Sequence, residues 1–335
     1  MMDAQTASVR LALTGDVMLG RLVDEAIARY GPAYPWGDLA ADLRAADLTW
    51  INLECVISNV GTPWRRTPKV FHFHARPHAL ETLAIAGVDG VALANNHTLD
   101  WEVEALLEML PLLDARGIAH AGAGADLAAA ARPALLEARG LRIAAISWTD
   151  NMPEWAAAAT TPGVFYVPVR TGGPAFEHLC GMIRAAREQA DVVLVSAHWG
   201  PNMRRVPPPH FRVFARALID AGATLFHGHS AHLFQGIEVY RGCPILYDTG
   251  DFVDDYAVDP VERNDQSFLF IATLQGDRVA RLDLLPVRID HCQVNHAVGD
   301  EAAQICERMR ALSAALGTEL QTTSDGLALA IAPGA

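Results

Sequence analysis

The sequence predicts an α/β protein in which buried strands alternate with helices around a layered core. Apolar runs of strand length recur along the first two thirds of the chain. Stretches with helical periodicity separate them, and this alternation is typical of layered α/β architectures. Hydrophobic residues make up 51% of the 335-residue chain, which is enough for a sizeable core.

Six apolar runs are predicted to be buried strands because they are short, nearly continuous and bounded by polar clusters. In chain order they are VRLALTG (9–15), LTWINLE (48–54), GVDGVALA (87–94), LRIAAISW (141–148), DVVLVSAHWG (191–200) and ATLFHGH (223–229). Five helices are predicted between them, at residues 22–31, 79–87, 103–117, 176–190 and 211–222. In the third helix the apolar residues recur at helical spacing, and Gly117 ends the pattern.

After residue 233 the pattern changes to strands and turns, which predicts antiparallel strands. The stretches are FQGIEVYRGCPILYDTGDF (234–252) and SFLFIATLQGDRVARLDLLPVRI (267–289), followed by a last helix near 300–316. No internal repeat or low-complexity linker is visible, and AAAATTPG (156–163) is the nearest to a flexible loop. We therefore predict a single domain over residues 1–335, with its core at 9–290 and a C-terminal helical segment at 298–335.

Charge and composition limit the class of partner. The formal net charge of −13 argues against nucleic acid, because no basic stripe is present to neutralise phosphates. The stretch PWRRTPK (63–69) is the main local exception, and it suits either an anionic substrate or a solvated loop.

The sequence also predicts a cytoplasmic protein. The first residues, MMDAQTASVR, contain no apolar stretch of signal-peptide length. No run of 18 apolar residues occurs, so no membrane partner is expected. Five scattered cysteines without C-x-x-C spacing suit reduced thiols, and the oligomeric state is left open.

Potential metal ligands follow almost every predicted strand. They are Asp16, Glu54, the run Asn95-Asn96-His97, His198, and His227 with His229 and His232. In layered α/β proteins, ligands bind beyond the carboxyl ends of the strands. Asparagine is a poor strand residue, and a buried amide without a partner costs a few kcal/mol, about 1–3 from mutational data. The pattern therefore predicts that carboxylates, an amide oxygen and imidazoles converge on a divalent cation at one rim.

Each of these residues has a structural alternative when taken alone. Asp16 can cap the helix that follows, and Glu54 can pair with a surface arginine. Asn96 can form a turn. His198 and His232 can be histidines satisfied within the core. The metal site is favoured because the same pattern recurs at successive strand ends.

These motifs, in this order, resemble the calcineurin-like metallophosphoesterases, and more closely their CapA branch, named for poly-γ-glutamate capsule synthesis. The stretches that carry the resemblance are TGDVMLGR (14–21), NLE (52–54), LANNHTLD (93–100), SAHWG (196–200), HGHSAHLFQGIE (227–238) and ILYDTGDF (245–252). The resemblance implies a β-sandwich flanked by helices, with a metal site at the C-terminal rim of the strands. It implies metal ligands at Asp16, Glu54, Asn96, His198, His229 and His232, and a leaving-group acid at His97.

Two departures from the family pattern concern the number of ions. Phosphoesterases of this fold carry Asp-x-His in the first motif, where this chain has Asp16-Val17-Met18. A thioether is a poor ligand for hard divalent ions. The second motif normally holds Gly-Asp, and Glu54 stands here instead. Both changes weaken one of the two metal sites of this fold. The number of bound ions, one or two, and their identity as Ca²⁺, Mn²⁺ or Zn²⁺ are therefore left open.

The resemblance and the expected cytoplasmic location favour an enzyme that modifies a peptide substrate. The sharpest hypothesis is a Cα epimerase acting on a ribosomally made precursor of the lasso-peptide type. Removal of a Cα proton creates an enolate-like anion that a cation can stabilise, and inversion needs an acid/base on each face. The catalytic candidates are Asp16, His97, Asp100, Asp251 and His296, with His227 and Asp248 also near the rim. Asp100 can instead cap a helix, and His296 can be a surface residue.

Two stretches suggest a substrate surface. FHFHARPH (71–78) presents His72, His74 and Arg76, which suit either a carboxylate ligand or a solvated edge strand. Trp148 and Trp155 suit either a lid over a peptide side chain or anchors in the core. Three alternative functions remain besides the epimerase. They are a metallophosphoesterase, an enzyme acting on γ-glutamyl amides in capsule synthesis, and a non-catalytic scaffold.

Overall fold

The computed structural model describes residues 8–332, in which strands and helices alternate as the sequence predicts. The strands are β1 (Ser8–Val17), β2 (Leu48–Leu53), β3 (Val56–Ile57), β4 (His74–Ala75), β5 (Gly90–Ala92), β6 (Ala119–Ala121), β7 (Ala123–Gly124), β8 (Ala134–Ala138), β9 (Leu141–Thr149), β10 (Gly163–Val164), β11 (Val192–His198), β12 (Leu225–His229), β13 (Ile237–Tyr240), β14 (Cys243–Leu246), β15 (Asp251–Val253), β16 (Gln266–Gln275), β17 (Arg278–Asp290), β18 (Gln293–His296), β19 (Gln321–Thr322) and β20 (Leu327–Ala330). The helices are α1 (Arg21–Tyr30), α2 (Ala40–Ala45), α3 (Ala79–Ile85), α4 (Glu102–Asp114), α5 (Leu127–Ala131), α6 (Pro174–Arg187), α7 (Pro209–Asp220) and α8 (Gly299–Ala314), with 3₁₀ turns at Tyr34–Leu39 and Pro153–Trp155.

Two large sheets contain most of these strands. The larger has ten strands in the order β19-β20-β17-β16-β1-β2-β5-β6, with β15 added to β1 and β18 to β17. The smaller has six, in the order β13-β14-β12-β11-β9-β8. The pairings β1-β2-β5-β6 and β9-β11-β12-β14 are parallel, whereas β16, β17, β8 and β13 pair antiparallel. The carboxyl ends of the parallel strands therefore meet at one edge of each sheet.

The two sheets share an apolar core. Leu11 of β1, Phe270 of β16, Leu194 of β11 and Leu225 of β12 belong to one buried cluster. The outer face of the larger sheet packs against α1, α3 and α4, and that of the smaller sheet against α6 and α7. This arrangement confirms the predicted mixed α/β class, with sheets flanked by helices.

The predicted elements agree with the structure except at their ends. All six predicted strands and all five predicted helices form, although the third strand covers only Gly90–Ala92. The C-terminal segment differs from the prediction because α8 ends at Ala314 and two strands follow it. Gly317, with φ +84°, turns the chain, and Leu327 and Leu329 bury their side chains where β20 pairs with β17.

Two sequence predictions concern the ends of the chain and the membrane. Residues 1–7, part of the stretch in which no signal peptide is predicted, lie outside the described residues, as do residues 333–335. Within residues 8–332, every helix is too short or too polar to cross a bilayer.

Close backbone approaches bring the strand ends together at the rim. The Asp16 N–H donates to the Gly250 carbonyl at 2.9 Å, which joins β1 to the start of β15. A Cβ atom on Gly15 would lie 1.9 Å from that same carbonyl oxygen. A Cβ on Gly228 would lie 2.1 Å from the Tyr247 carbonyl oxygen. Glycine is therefore required where the strands approach one another beside the candidate ligands.

Replacement of Gly15 by alanine is expected to lower the free energy of unfolding by about 3 kcal/mol, because the added methyl group meets a backbone carbonyl that cannot rotate away. The matched control is Gly181→Ala in α6, where a Cβ meets open space and the helix gains up to about 1 kcal/mol. Urea denaturation measures both variants. Equal unfolding free energies for Gly15→Ala and the wild type would contradict this packing.

Candidate metal centre

Side chains from four strand ends and two following segments converge at the rim. One ligand atom from each of Asp16, His198 and His229 lies within 4.8 Å of the others. The same holds for a second group formed by Asp16, Glu54, His232 and Asp251. Asp16 belongs to both groups, one oxygen facing each.

Most distances within the two groups are close to those between ligands of one ion, except that His232 and Asp251 are in direct hydrogen-bond contact. Asp16 Oδ1 lies 3.4 Å from His229 Nδ1 and 3.7 Å from His198 Nδ1. In the second group, His232 Nδ1 lies 2.7 Å from Asp251 Oδ1 and 3.7 Å from Asp16 Oδ2. Ligand atoms bound to one transition ion at about 2.1 Å are themselves about 3 to 3.5 Å apart. His232 holds a φ of +59°, a left-handed conformation that its surroundings must impose.

Several buried oxygen atoms at this site have no hydrogen-bond donor among the described residues. Within residues 8–332, Asp16 Oδ2, Glu54 Oε1, Asn96 Oδ1 and Asp251 Oδ2 are buried and accept no hydrogen bond. Burying an uncompensated carboxylate oxygen is costly unless a donor or a cation satisfies it. Carboxylate, amide and imidazole ligands are those that bind divalent metals in proteins, so the residues fit such an ion.

The pKa shifts follow from the same crowding of negative charge. Burial raises the pKa of Glu54 well above its ordinary value, and the charges of Asp16 and Asp251 add to the effect. Burial acts on Asp16 in the same sense, but the interaction with His198 and the charges of the surrounding imidazoles outweigh it and lower its pKa. For His232, burial opposes protonation, yet the neighbouring carboxylates raise the pKa. A bound cation would relieve the repulsion among these carboxylates.

Hydrogen bonds from an amide and a phenol hold two of the carboxylates in place. Asn52 Nδ2 donates to Asp16 Oδ1 at 2.7 Å. Asn95 Nδ2 donates in turn to Asn52 Oδ1 at 3.1 Å and to the Leu53 carbonyl at 2.8 Å. Tyr256 donates its hydroxyl to Glu54 Oε2 at 2.9 Å. In the pair Asn95-Asn96, the first amide is therefore used within the protein and the second keeps its oxygen free.

His97 forms a close pair with Asp100 beside the ligand groups. His97 Nδ1 lies 2.5 Å from Asp100 Oδ2, and His97 Nε2 lies 3.8 Å from Glu54 Oε1. The Phe73 ring stacks on the imidazole with centroids 3.7 Å apart. Burial lowers the pKa of His97 and raises that of Asp100 to about 8, while the charge of Lys69 opposes the rise. Near neutral pH the pair therefore holds one dissociable proton.

A cavity of about 420 Å³ opens next to this pair. Its lining includes Asn96, His97, His232, Tyr256 and Lys69. Lys69 is the only lysine in the sequence. Its ammonium donates to the Asn96 carbonyl at 2.7 Å and lies 3.2 Å from Asp100 Oδ1.

His72, His74 and Arg76, which the sequence predicts as substrate-binding residues, lie outside the lining of this cavity. His72 Nε2 lies 2.9 Å from the Trp64 carbonyl oxygen, and the His74 ring stacks on Trp101. Arg76 pairs with Asp24 at 2.8 Å. Their polar groups are thus used within the protein, and only His74 and Ala75 form a short strand in this stretch.

Other predicted residues also have structural surroundings. Trp148 is fully buried in the core and Trp155 is 2% exposed, and neither lines the cavity. Trp155 instead presents its ring 5.1 Å from the Lys69 ammonium. His296 pairs with Asp38 at 3.0 Å and lies outside the cavity lining.

One predicted residue takes a different role at the site, and three others lie there that the sequence patterns did not place at the rim. Asp251, expected as an acid/base, lies among the ligand atoms because β15 pairs with β1 beside Asp16. Asn52 and Tyr256 hold carboxylates, and Lys69, seen only as part of a basic stretch, lies against Asp100. The signal for Lys69 was its composition, a single lysine in a chain that otherwise uses arginine.

Replacement of Glu54 by glutamine is expected to raise the melting temperature by about 2 °C in EDTA at pH 8. Burial raises the pKa of Glu54 in the folded protein. The stability that this carboxyl group contributes is therefore lost as pH rises through the raised pKa, because the group must then ionise while buried. The neutral side chain of glutamine does not ionise and avoids this loss. With saturating Mn²⁺ the order reverses, because the carboxylate is then a ligand.

The control is Glu238→Gln, which alters a buried carboxylate bound to Tyr247 and Arg216 outside the centre. It is expected to lower the melting temperature equally with and without Mn²⁺. A Glu54→Gln variant that behaves in the same way would contradict the metal centre.

Comparisons with known proteins agree on a family. Residues 10–256 match the family described as bacterial capsule synthesis protein PGA_cap. A probable polyglutamine synthesis accessory protein of Mycobacterium tuberculosis is 31% identical, with 98% of this chain and 97% of that protein covered. The capsule biosynthesis protein CapA of Bacillus anthracis is 27% identical over 85% of this chain and 68% of that protein. The PGA biosynthesis protein CapA of Bacillus subtilis is 29% identical, covering 83% of this chain and 71% of its own. The chain therefore belongs to the PGA_cap family of bacterial capsule synthesis proteins.

Proposed function

We propose that this protein is a divalent-metal-dependent hydrolase that acts on amide bonds of a polyglutamate-type polymer, on a fold of the calcineurin-like metallophosphoesterase kind. Its family and the names of its relatives support the substrate class. The observation that carries the reaction class is the shared position of Asp16 in two ligand groups, next to His97 at the wall of a cavity.

Asp16, Glu54, Asn96, His198, His229, His232 and Asp251 are the proposed metal ligands. The imidazoles in both groups favour Mn²⁺ or Zn²⁺ over Ca²⁺, which prefers oxygen ligands throughout. A divalent ion in this centre supplies a Lewis acid for the carbonyl oxygen and a more acidic water molecule.

His97 is the proposed general acid. His97 lines the cavity, its Nε2 lies 3.8 Å from Glu54 Oε1, and Asp100 contacts the opposite nitrogen. The proton held by this pair near neutral pH can pass to the leaving amine nitrogen. Phe73 stacks on the ring, and the ammonium of Lys69 lies 3.2 Å from Asp100 Oδ1 and limits the rise of its pKa, so both residues act by positioning and tuning the pair.

The walls of the cavity suit a chain with methylene groups and carboxylates. Phe71, Phe73 and Tyr256 offer aromatic surface. Arg21, which also lines the cavity, holds its guanidinium 5.4 Å from the Phe73 ring centroid and contacts Asp255 at 3.1 Å. The remaining donors of this guanidinium can bind a substrate carboxylate.

Phosphoester hydrolysis is the second candidate, because two ion positions that share a carboxylate are the arrangement used for that chemistry. The peptide epimerase expected from the sequence gains no support from the names of the relatives. His296, which was to supply an acid/base, also lies outside the cavity lining.

Purified protein with Mn²⁺ is expected to release new amino groups from poly-γ-glutamate, and His97→Gln is expected to lower the rate by about 10²- to 10⁴-fold. EDTA abolishes the activity, whereas the variant keeps its affinity for Mn²⁺. His120→Gln, which alters a ring paired with Asp114, is the control and retains the wild-type rate.

Three outcomes would contradict this proposal. Phosphate release from an aryl phosphate without cleavage of the polymer would favour the second candidate. Deuterium uptake at a peptide Cα in D₂O, without cleavage, would favour the epimerase. Polymer cleavage at the wild-type rate by the His97→Gln variant would remove this histidine from the reaction.

Lys69→Met is expected to move the basic limb of the pH profile of kcat/KM to higher pH. The charge of Lys69 lowers the pKa of Asp100, so its removal raises that pKa above about 8. Arg66→Met is the control, because Arg66 lies in the same stretch and pairs with Glu102 at the surface. An unchanged profile, or a shift to lower pH, would contradict the role of Lys69.

A further inference from the structure

We propose that Ser196 and His227 are positioning residues that hold His229 in the tautomer whose Nδ1 is free to bind a cation. The inference rests on the proposed metal centre, but it concerns a chain of hydrogen bonds behind the ligands. Ser196 and His227 pair in register on β11 and β12, and both side chains are fully buried. Neither residue lies among the candidate ligand atoms.

The chain begins at a backbone carbonyl, which can only accept a hydrogen bond. His227 Nε2 lies 2.9 Å from the Thr14 carbonyl oxygen, so this nitrogen carries the hydrogen. The Thr249 hydroxyl, 3.3 Å from the same nitrogen, donates to the Gly228 carbonyl and therefore also faces His227 as an acceptor.

The hydroxyl of Ser196 links the tautomer of His227 to that of His229. Within residues 8–332, His227 contacts one carbonyl and two hydroxyl groups but no carboxylate, so the buried ring is neutral and its Nδ1 is an acceptor. Ser196 must then donate its single hydrogen to His227 Nδ1, at 3.1 Å. Its oxygen, 3.1 Å from His229 Nε2, can only accept from that nitrogen.

His229 is thereby left with a hydrogen on Nε2 and a lone pair on Nδ1. That lone pair lies 3.0 Å from His198 Nδ1 and 3.4 Å from Asp16 Oδ1, within the first ligand group. A neutral imidazole binds a metal only through its unprotonated nitrogen, and the partner of the other nitrogen decides which one that is. The Thr14 carbonyl lies two residues before Asp16. The end of β1 therefore supplies one ligand, Asp16, and through this hydrogen-bond chain also orients a second, His229.

Ser196→Ala tests the proposal, with Ser147→Ala as the matched control. Ser147 is the register neighbour of Ser196 on β9, is equally buried, and accepts only from the Ala94 N–H. Calorimetric titration with Mn²⁺ is expected to show 10- to 100-fold weaker binding for Ser196→Ala and unchanged binding for Ser147→Ala. Equal affinities in the wild type and Ser196→Ala would overturn the proposal.

A second measurement requires neither a variant nor a metal. Imidazole ¹⁵N chemical shifts of the wild-type protein in EDTA are expected to show His227 and His229 both protonated at Nε2. A His229 protonated at Nδ1 would overturn the proposal. If the wild type does not bind Mn²⁺, the proposed metal centre fails, and the ¹⁵N shifts still decide the tautomer separately.

Discussion

The centre depends on negative charge that the fold buries at one edge. Asp16, Glu54 and Asp251 lie within a few ångströms of one another, all of them 1% exposed or less. Burial and the charges of Asp16 and Asp251 raise the pKa of Glu54, and the carboxylates raise the pKa of His232 against the effect of burial. Removing charges from water is costly unless each is paired, and the arrangement is compatible with a divalent ion that would pair these carboxylates.

The fold makes this burial possible by directing several strand ends to one edge. β1 and β2 belong to one sheet and β11 and β12 to the other, and the core between the sheets keeps their ends in register. Glycines at positions 15 and 228 allow neighbouring backbones to approach, while Asn52 orients the Asp16 carboxylate and Asn95 in turn holds Asn52. The same strands thus provide the packing that stabilises the fold and the buried charges that cost free energy. This combination is common where function requires strain.

Sequence periodicity predicted the strands, the helices and the edge of the sheets at which polar side chains meet. Strands buried on both faces are continuous apolar runs in the sequence, and the polar residues that follow them mark the strand ends. The partners of each rim residue could not be predicted, since they depend on pairings between distant strands. Asp251 joins Asp16 only through the pairing of β15 with β1. Trp148 could equally suit a lid or the core, and only the packing of the smaller sheet against its helices decides for the core. The prediction of a helical C-terminus was wrong because residues beyond Gly317 pair with β17.

Anomalous diffraction from crystals grown with Mn²⁺ would locate any ion at the rim. We expect a peak between Asp16, His198 and His229, a second between Asp16, Glu54, His232 and Asp251, or both, with each ion at about 2.0–2.3 Å from its ligand atoms. An ordered structure without an anomalous peak at ligand distance from Asp16 would contradict this expectation.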